Sequence, residues 1–192
     1  IDLNMLDEAI NRLELAERPI IYSGGGVINS GQSAVNSLRN LVASTNFPIT
    51  STLMGLGSYP ASGKNWLGML GMHGTYEANM SMHDCDFMLC IGARFDDRIT
   101  GRIDAFSPNS YKVHIDIDPS SINKNITVDA PLIGDVSQIL SVLIARWKER
   151  GSKVNKKKLS AWWKSINNWK GVRSLGYENS SSVIKPQYAV QR

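Results

Sequence analysis

A short apolar run that ends at a glycine and opens into a cluster of charges constrains the fold most strongly. Residues 87–91 are continuously apolar, Gly92 follows, and three arginines and two aspartates lie within the next ten positions. Such a run predicts a strand buried on both faces of a parallel sheet. In open parallel sheets, ligands bind beyond the carboxyl ends of the strands, so this charged loop is a candidate binding site. The alternative is a solvated turn with surface ion pairs.

The rest of the first 150 residues alternates between predicted strands and predicted helices. Short apolar runs predict strands over 20–22, 48–51, 111–116 and 131–134. Apolar residues at helical spacing predict helices over about 3–16, 34–42, 75–83 and 136–150. This alternation predicts an α/β fold with a doubly wound, mostly parallel, Rossmann-like sheet that helices cover on both sides.

The longest stretch without a predicted helix or strand follows the second strand and extends to residue 75. It is rich in glycine and methionine, and it includes His73. Loops of this length are usually functional or disordered, and the apolar content argues against disorder. Flexible methionines and exposed glycine backbone suit a surface that wraps a large, flat, partly apolar ligand. The alternative is that the methionines fill the core and His73 is an ordinary surface residue.

A glycine triplet, Gly24 to Gly26, follows the first predicted strand. It matches the dinucleotide fingerprint only in part, because Asn29 stands where the third glycine would fall. No acidic residue follows the second strand, which disfavours NAD binding through a ribose carboxylate. Close approach of backbone N–H groups to a phosphate and tight packing of strand against helix both explain the glycines.

Residues suited to a ligand follow all five predicted strands. Aspartates at these positions can accept hydrogen bonds from ribose or other hydroxyls, or they can cap helices and turns. Because the carboxyl ends of parallel strands share one edge of the sheet, the sequence predicts an elongated binding site there. The five segments are Gly24–Gly26, Thr52–Met54, Gly92–Arg98, Asp116–Asp118 and Gly134–Asp135.

The basic residues are concentrated at the end of the chain. Residues from Arg146 onward include twelve lysines and arginines against two acids, whereas residues 1–145 carry nine against fifteen. No nucleic-acid-binding module accompanies this excess, so we interpret residues 151–192 as a solvated linker and a basic connector helix beyond an α/β domain at 1–150. In that helix, Leu159, Trp162, Trp163, Ile166 and Trp169 fall at helical spacing and predict a face that docks on another part of the protein. Residues 171–187 are expected to form a tether, and residues 186–192 the start of a further helix.

Three further expectations concern the environment and the extent of the chain. No apolar stretch approaches the length needed to span a membrane and no leader-like segment is present, which predicts a cytoplasmic protein with no membrane partner. Cys85 and Cys90 lack metal-site spacing and are expected to be buried free thiols. The helical start at the end of the chain suggests a fragment of a longer protein.

Six segments together carry a family resemblance. The segments YSGGGV, TSTLMGLGSYP, LGMLGMHGTYEAN, DFMLCIGARFDDRITG, VHIDIDPSSINKN and LIGDV occur in this order. They closely resemble the central domain of the catalytic subunit of acetohydroxyacid synthase, also called acetolactate synthase, a thiamine diphosphate enzyme of branched-chain amino acid synthesis. The resemblance covers roughly residues 1–150, and the tail resembles the connector to a thiamine-binding domain.

The resemblance implies an FAD site in this chain. By their positions in the motifs, Asp97 and Arg98 would face the substrate channel, where the Arg98 guanidinium suits a 2-keto acid carboxylate. The other implied residues would contact FAD from its pyrophosphate and flavin to its ribityl phosphate and adenosine. They are Gly25, Gly26, Thr52, Leu53, Met54, Met72, His73, Gly74, Gly92, Ala93, Arg94, Asp116, Ile117, Asp135 and Val136.

The resemblance also implies what this chain lacks. The family's thiazolium-activating glutamate and its Mg- and diphosphate-binding segment belong to two other domains, so thiamine diphosphate and Mg would be held only by a full-length parent. The isolated chain would then be inactive and bind flavin alone. A homo-oligomer and a regulatory subunit are further expectations for the parent. Two alternatives stay open: a cofactor-free spacer domain, and an ADP- or NAD-binding domain of another thiamine enzyme.

Overall fold

The computed structural model describes all 192 residues and contains eight helices and one six-stranded sheet. The strands are β1 (Pro19–Ser23), β2 (Ile49–Ser51), β3 (Trp66–Met69), β4 (Phe87–Ile91), β5 (Tyr111–Asp116) and β6 (Ala130–Ile133). The helices are α1 (Leu3–Leu15), α2 (Gly25–Asn29), α3 (Gln32–Thr45), α4 (Tyr76–Asp84), α5 (Asp97–Thr100), α6 (Val136–Glu149), α7 (Lys156–Lys170) and α8 (Pro186–Gln191).

The sheet has the order β3-β2-β1-β4-β5-β6, and every neighbouring pair is parallel. The chain builds outward from β1 in one direction and then returns to build outward from β4 in the other. This confirms the predicted doubly wound α/β fold. It also places the topological switch point, where ligands of such sheets bind, between the carboxyl ends of β1 and β4.

The core lies around these two central strands. Every residue of β1 and β4 is buried, which requires that helices cover both faces of the sheet. Cys85 and Cys90 belong to this core as free thiols, as predicted, and burial raises the pKa of Cys85 to about 11. None of the helices is both long and apolar enough to span a membrane.

The prediction of an unstructured stretch after β2 is wrong. It contains a 3-10 turn at Leu53–Gly55 and the edge strand β3. The strand is only four residues long, and Gly68 within it has a φ of +90°, so neither periodicity nor propensity marks it. Side chains form hydrogen bonds with two backbone carbonyl groups of this strand: the Trp66 carbonyl accepts from Lys170, and the Leu67 carbonyl accepts from Thr75.

The basic connector helix packs directly on the α/β unit. Leu159, Trp162 and Ile166 are buried and belong to the same apolar cluster as the strands. The Trp162 indole donates to the Pro19 carbonyl at 3.0 Å, at the amino end of β1. Helix α7 therefore docks on the part of the chain that precedes it, while the proposed domain boundary at residue 150 stays a prediction.

Candidate functional site

Glycines join the carboxyl ends of the two central strands. The Gly24 N–H donates to the Ile91 carbonyl at 2.8 Å, and the Gly26 N–H donates to the Gly92 carbonyl at 3.0 Å. A Cβ on Gly24 would lie 2.2 Å from the Gly92 oxygen, and one on Gly26 would lie 2.7 Å from the Gly92 Cα. Close packing, the second explanation that the sequence left open, accounts for these two glycines.

Gly25 has a different environment from its neighbours. A Cβ on this residue would approach only Met54, with its nearest atom 3.1 Å away. Gly25 is the first residue of α2, so its N–H has no acceptor within the helix. The structure thus places Gly25 and Met54, both predicted to contact the flavin nucleotide, side by side at the switch point.

The loop after β4 has its carbonyl groups engaged and its N–H groups free. The Ala93 carbonyl accepts from His114 Nε2 at 2.7 Å, and the Arg94 carbonyl accepts from Asn125 at 3.2 Å. Gly92, with a φ of +61°, and Phe95, with a φ of +54°, adopt left-handed conformations. Consecutive free N–H groups in such a turn form a concavity that binds anions. The N–H groups that donate to no acceptor in the protein are those of Ala93, Arg94, Phe95 and Asp96.

His114 supports this loop and was not identified from the sequence. It is fully buried, and its ring packs edge-on against Phe95 with 5.1 Å between centroids. The Ala93 carbonyl can only accept, so His114 carries its proton on Nε2, and Nδ1 has no partner. Desolvation lowers the pKa of His114, which keeps the ring neutral. The predicted strand places His114 correctly, but no local pattern indicates a contact 21 residues away.

Replacing His114 with glutamine is expected to reduce the loss of stability in mild acid. Because the pKa of His114 is lowered in the folded protein, the unfolded chain binds a proton near its ordinary pKa of about 6.5 while the folded protein does not. Stability therefore falls as the pH drops from that value toward the lower folded pKa, by up to about 1.4 kcal/mol per pH unit for one proton. Urea unfolding of both proteins at pH 7 and pH 5 tests this, and equal losses in the two would contradict it.

The aspartate at the end of β5 stabilises a turn, and the aspartate after β6 caps a helix. An Asp116 carboxylate oxygen accepts from the Asp118 N–H at 2.9 Å. The Asp135 carboxylate caps α6 by accepting from the N–H groups of Ser137 and Gln138, and its hydrogen bond to the Ser137 hydroxyl lowers its pKa. Both side chains nevertheless lie at the carboxyl edge of the sheet. The capping explanation is thus observed, and a role toward adenosine stays a prediction.

The loop that follows β3 packs on helix α5. The Met72 N–H donates to the Arg98 carbonyl at 3.0 Å, and a Cβ on Gly71 would lie 2.4 Å from the same oxygen. The residues predicted to lie along the flavin, Met72 to Gly74, are therefore adjacent to the residues predicted for the substrate channel. The charged groups of Asp97 and Arg98 are mainly exposed and lie 4.0 Å apart, so they remain free to contact another molecule.

Large apolar side chains are exposed along this edge of the sheet. Leu53, Met54, Met72 and Ile117 are between 65% and 75% exposed, and they follow three different strands. Exposed apolar groups that lie close together are typical of ligand-binding or interaction surfaces. The edge therefore combines free N–H donors with apolar surface.

A comparison with protein families identifies the fold. Residues 6–143 match the family described as thiamine pyrophosphate enzyme, central domain. The chain belongs to this family. The doubly wound sheet and its switch point are thus those of a thiamine-enzyme central domain, as the sequence motifs indicated.

Curated relatives of this central domain are acetolactate synthase subunits. The chain is 44% identical over 186 residues to the acetolactate synthase large subunit of Haemophilus influenzae, covering 97% of this chain and 32% of the relative. It is 40% identical over 186 residues to the isozyme 3 large subunit of Escherichia coli, covering 97% and 32%. The probable chloroplastic acetolactate synthase 2 of Oryza sativa is 41% identical over 190 residues, covering 98% and 28%. The chain thus spans about a third of the length of these relatives.

Proposed function

We propose that this chain is the FAD-binding central domain of an acetolactate synthase large subunit. The observation that carries the proposal is the set of free N–H groups from Ala93 to Asp96. These residues directly follow Gly92, which packs against the two glycines on either side of Gly25. Such donors suit the pyrophosphate of a dinucleotide. The exposed apolar side chains of Met54 and Met72 offer a surface for a flat ring.

Gly25 and Arg94 fit the phosphate portion of FAD. Because Gly25 has no side chain, the space between the start of α2 and Met54 is open to a bound group; a Cβ on Gly25 would extend into this space, toward Met54. Arg94 is exposed, and its only ion pair is with Asp96 at 2.9 Å, so its guanidinium can reach a phosphate. FAD would supply a flavin ring and a pyrophosphate. In a condensation of pyruvate with a second 2-keto acid there is no net redox change, so the flavin would act as a structural element.

The remaining functions belong to the parent protein in this proposal. Thiamine diphosphate and Mg would bind to domains that flank this one, in a cytoplasmic homo-oligomer with a regulatory subunit. The Asp97 and Arg98 side chains would face the substrate channel, where Arg98 suits a keto-acid carboxylate. This chain alone would bind FAD without catalysing the condensation.

Arg94→Ala is expected to weaken FAD binding roughly tenfold, because a charge-assisted contact to phosphate is lost. Fluorescence titration of the purified chain with FAD measures the dissociation constant, and the visible absorption band shows whether flavin copurifies. Arg98→Ala is the matched control, since it removes a similarly exposed arginine four residues away, in helix α5, and should leave FAD affinity unchanged.

One outcome would contradict the proposal as a whole, and a second would contradict the role of Arg94. A folded chain that binds no FAD, with its native circular dichroism intact, would favour the cofactor-free spacer. Equal affinity of the wild-type chain and Arg94→Ala would remove the assignment of Arg94 while leaving the flavin site in place.

A further inference from the structure

A cleft lies at the edge of the sheet opposite the proposed FAD site. In parallel α/β structures the helices end at the amino edge of the sheet, and this cleft is formed where α3 and α6 end and α7 begins. Its volume is about 830 Å³, within the range of small-molecule sites. None of its lining residues belongs to the proposed FAD site. The lining residues used below are Trp147, Ser152, Lys153, Lys156, Leu159 and Trp163.

The cleft combines apolar walls with positive charge. Trp147, Leu159 and Trp163 provide two indole rings and an aliphatic surface. Lys153 and Lys156 line it as well, and no carboxylate does. Both lysines are exposed and neither forms an ion pair, in contrast to Lys158, which pairs with Glu17. The positive charge in this cleft is therefore uncompensated.

Several hydrogen-bond donors at the cleft have no acceptor in the protein. Trp147 is 6% exposed and its indole N–H donates to nothing, whereas the indoles of Trp162 and Trp163 donate to backbone carbonyls. The Trp147 N–H is not sealed from solvent, so it can donate to a molecule bound in the cleft. The Ser152 hydroxyl is sealed without a partner and does not reach such a molecule.

The start of α7 adds a further attraction for an anion. This helix has 15 residues, and its first turn carries lysines at 156, 157 and 158 with no acidic residue. Lysines at the positive end of a helix dipole repel it, and a bound anion would relieve that repulsion. The N–H groups of Lys156 and Lys157 precede the first intrahelical bond and donate to no protein acceptor, so they can donate to such an anion.

We propose that this cleft binds a small aromatic phosphate. The phosphate would lie between Lys153, Lys156 and the first turn of α7, and the ring would pack against Trp147 and Trp163. A phosphate suits this site because its oxygens can accept from two ammonium groups and from backbone N–H groups together. This site shares no residue with the proposed FAD site at the other edge of the sheet, so the two proposals can be tested separately.

Phenyl phosphate is a suitable probe because it has both features of the ligand and no resemblance to FAD. The chain has five tryptophans, so the indole N–H signals in a ¹H–¹⁵N spectrum report on each ring. Phenyl phosphate should shift the signals of Trp147 and Trp163 saturably and leave Trp66 unchanged, with Trp147→Phe assigning the first signal. Inorganic phosphate and benzyl alcohol, each with one of the two features, should bind at least tenfold more weakly.

A pair of double variants tests the role of charge at the cleft. Lys153→Gln with Lys156→Gln should weaken phenyl phosphate binding roughly tenfold or more, since two charged contacts are lost. Lys148→Gln with Lys164→Gln is the matched control, because these exposed lysines do not line the cleft and form no ion pair. The absence of a saturable shift, equal losses in both double variants, or equally tight binding of inorganic phosphate would each overturn the proposal.

Discussion

Gly24→Ala is expected to lower the free energy of unfolding by about 3 kcal/mol, as overpacking of a buried contact does at its upper range. The added methyl would lie 2.2 Å from the Gly92 oxygen and 2.6 Å from the Ala93 Cβ. Neither atom can rotate away, because the Gly92 carbonyl is fixed by Gly26 and Ala93 is buried. Urea unfolding measures the loss, and FAD titration of the variant would show that the switch point is distorted.

Gly25→Ala is the matched control for this substitution. The new methyl would lie 3.1 Å from the Met54 Cβ, a contact that a shift of a few tenths of an ångström relieves, and alanine is a better helix former than glycine. The expected change in stability is within about 0.5 kcal/mol. If the two variants lost equal stability, the contact between the strand ends would not be the reason for Gly24.

Trp162→Ala is expected to cost about 3 to 5 kcal/mol of stability, the range observed for loss of large buried aromatic side chains. The ring is 2% exposed and packs edge-on against Trp169 with 5.5 Å between centroids. Its indole N–H also donates a hydrogen bond to the Pro19 carbonyl, so the substitution removes packing and leaves this carbonyl without its donor. Thermal and urea unfolding should show one transition at lower stability.

The outcome of the Trp162 substitution also tests how α7 relates to the sheet. Lys164→Ala, on the exposed side of the same helix, should leave stability within about 0.5 kcal/mol of the wild-type value. Unchanged stability in Trp162→Ala, or a separate early transition for α7, would show that the connector folds independently of the domain. The domain boundary predicted at residue 150 would then be the better description.

The central elements were predictable because burial leaves a local signal in the sequence. The run from Phe87 to Ile91 is apolar since both faces of β4 are covered, and Gly92 marks its end. The apolar face of α7 was also visible from its spacing. Its docking place was not, because the contacts with Pro19 and Asn46 join residues more than 100 positions apart.

The candidate site was predictable in its location but less so in its construction. Parallel strands bring their ends to one edge, so the positions of Gly25, Met54 and Arg94 followed from the topology. The residues that hold the loop after β4 could not be predicted in this way, since His114 and Asn125 donate to its carbonyl groups from 21 and 31 residues away. Such contacts depend on tertiary structure and have no counterpart in local periodicity.

Side-chain hydrogen bonds to the backbone of β3 affect whether this edge strand can pair with a second molecule in concentrated solution. An edge strand normally offers unpaired backbone groups to a second molecule, which can extend the sheet and lead to aggregates. The Asn65 carbonyl faces β2, so the Trp66 carbonyl lies on the free side of β3, where it is already occupied by Lys170. Gly68 also turns the backbone out of the extended conformation. The strand is therefore a poor template for intermolecular pairing, and growth of the sheet stops at six strands.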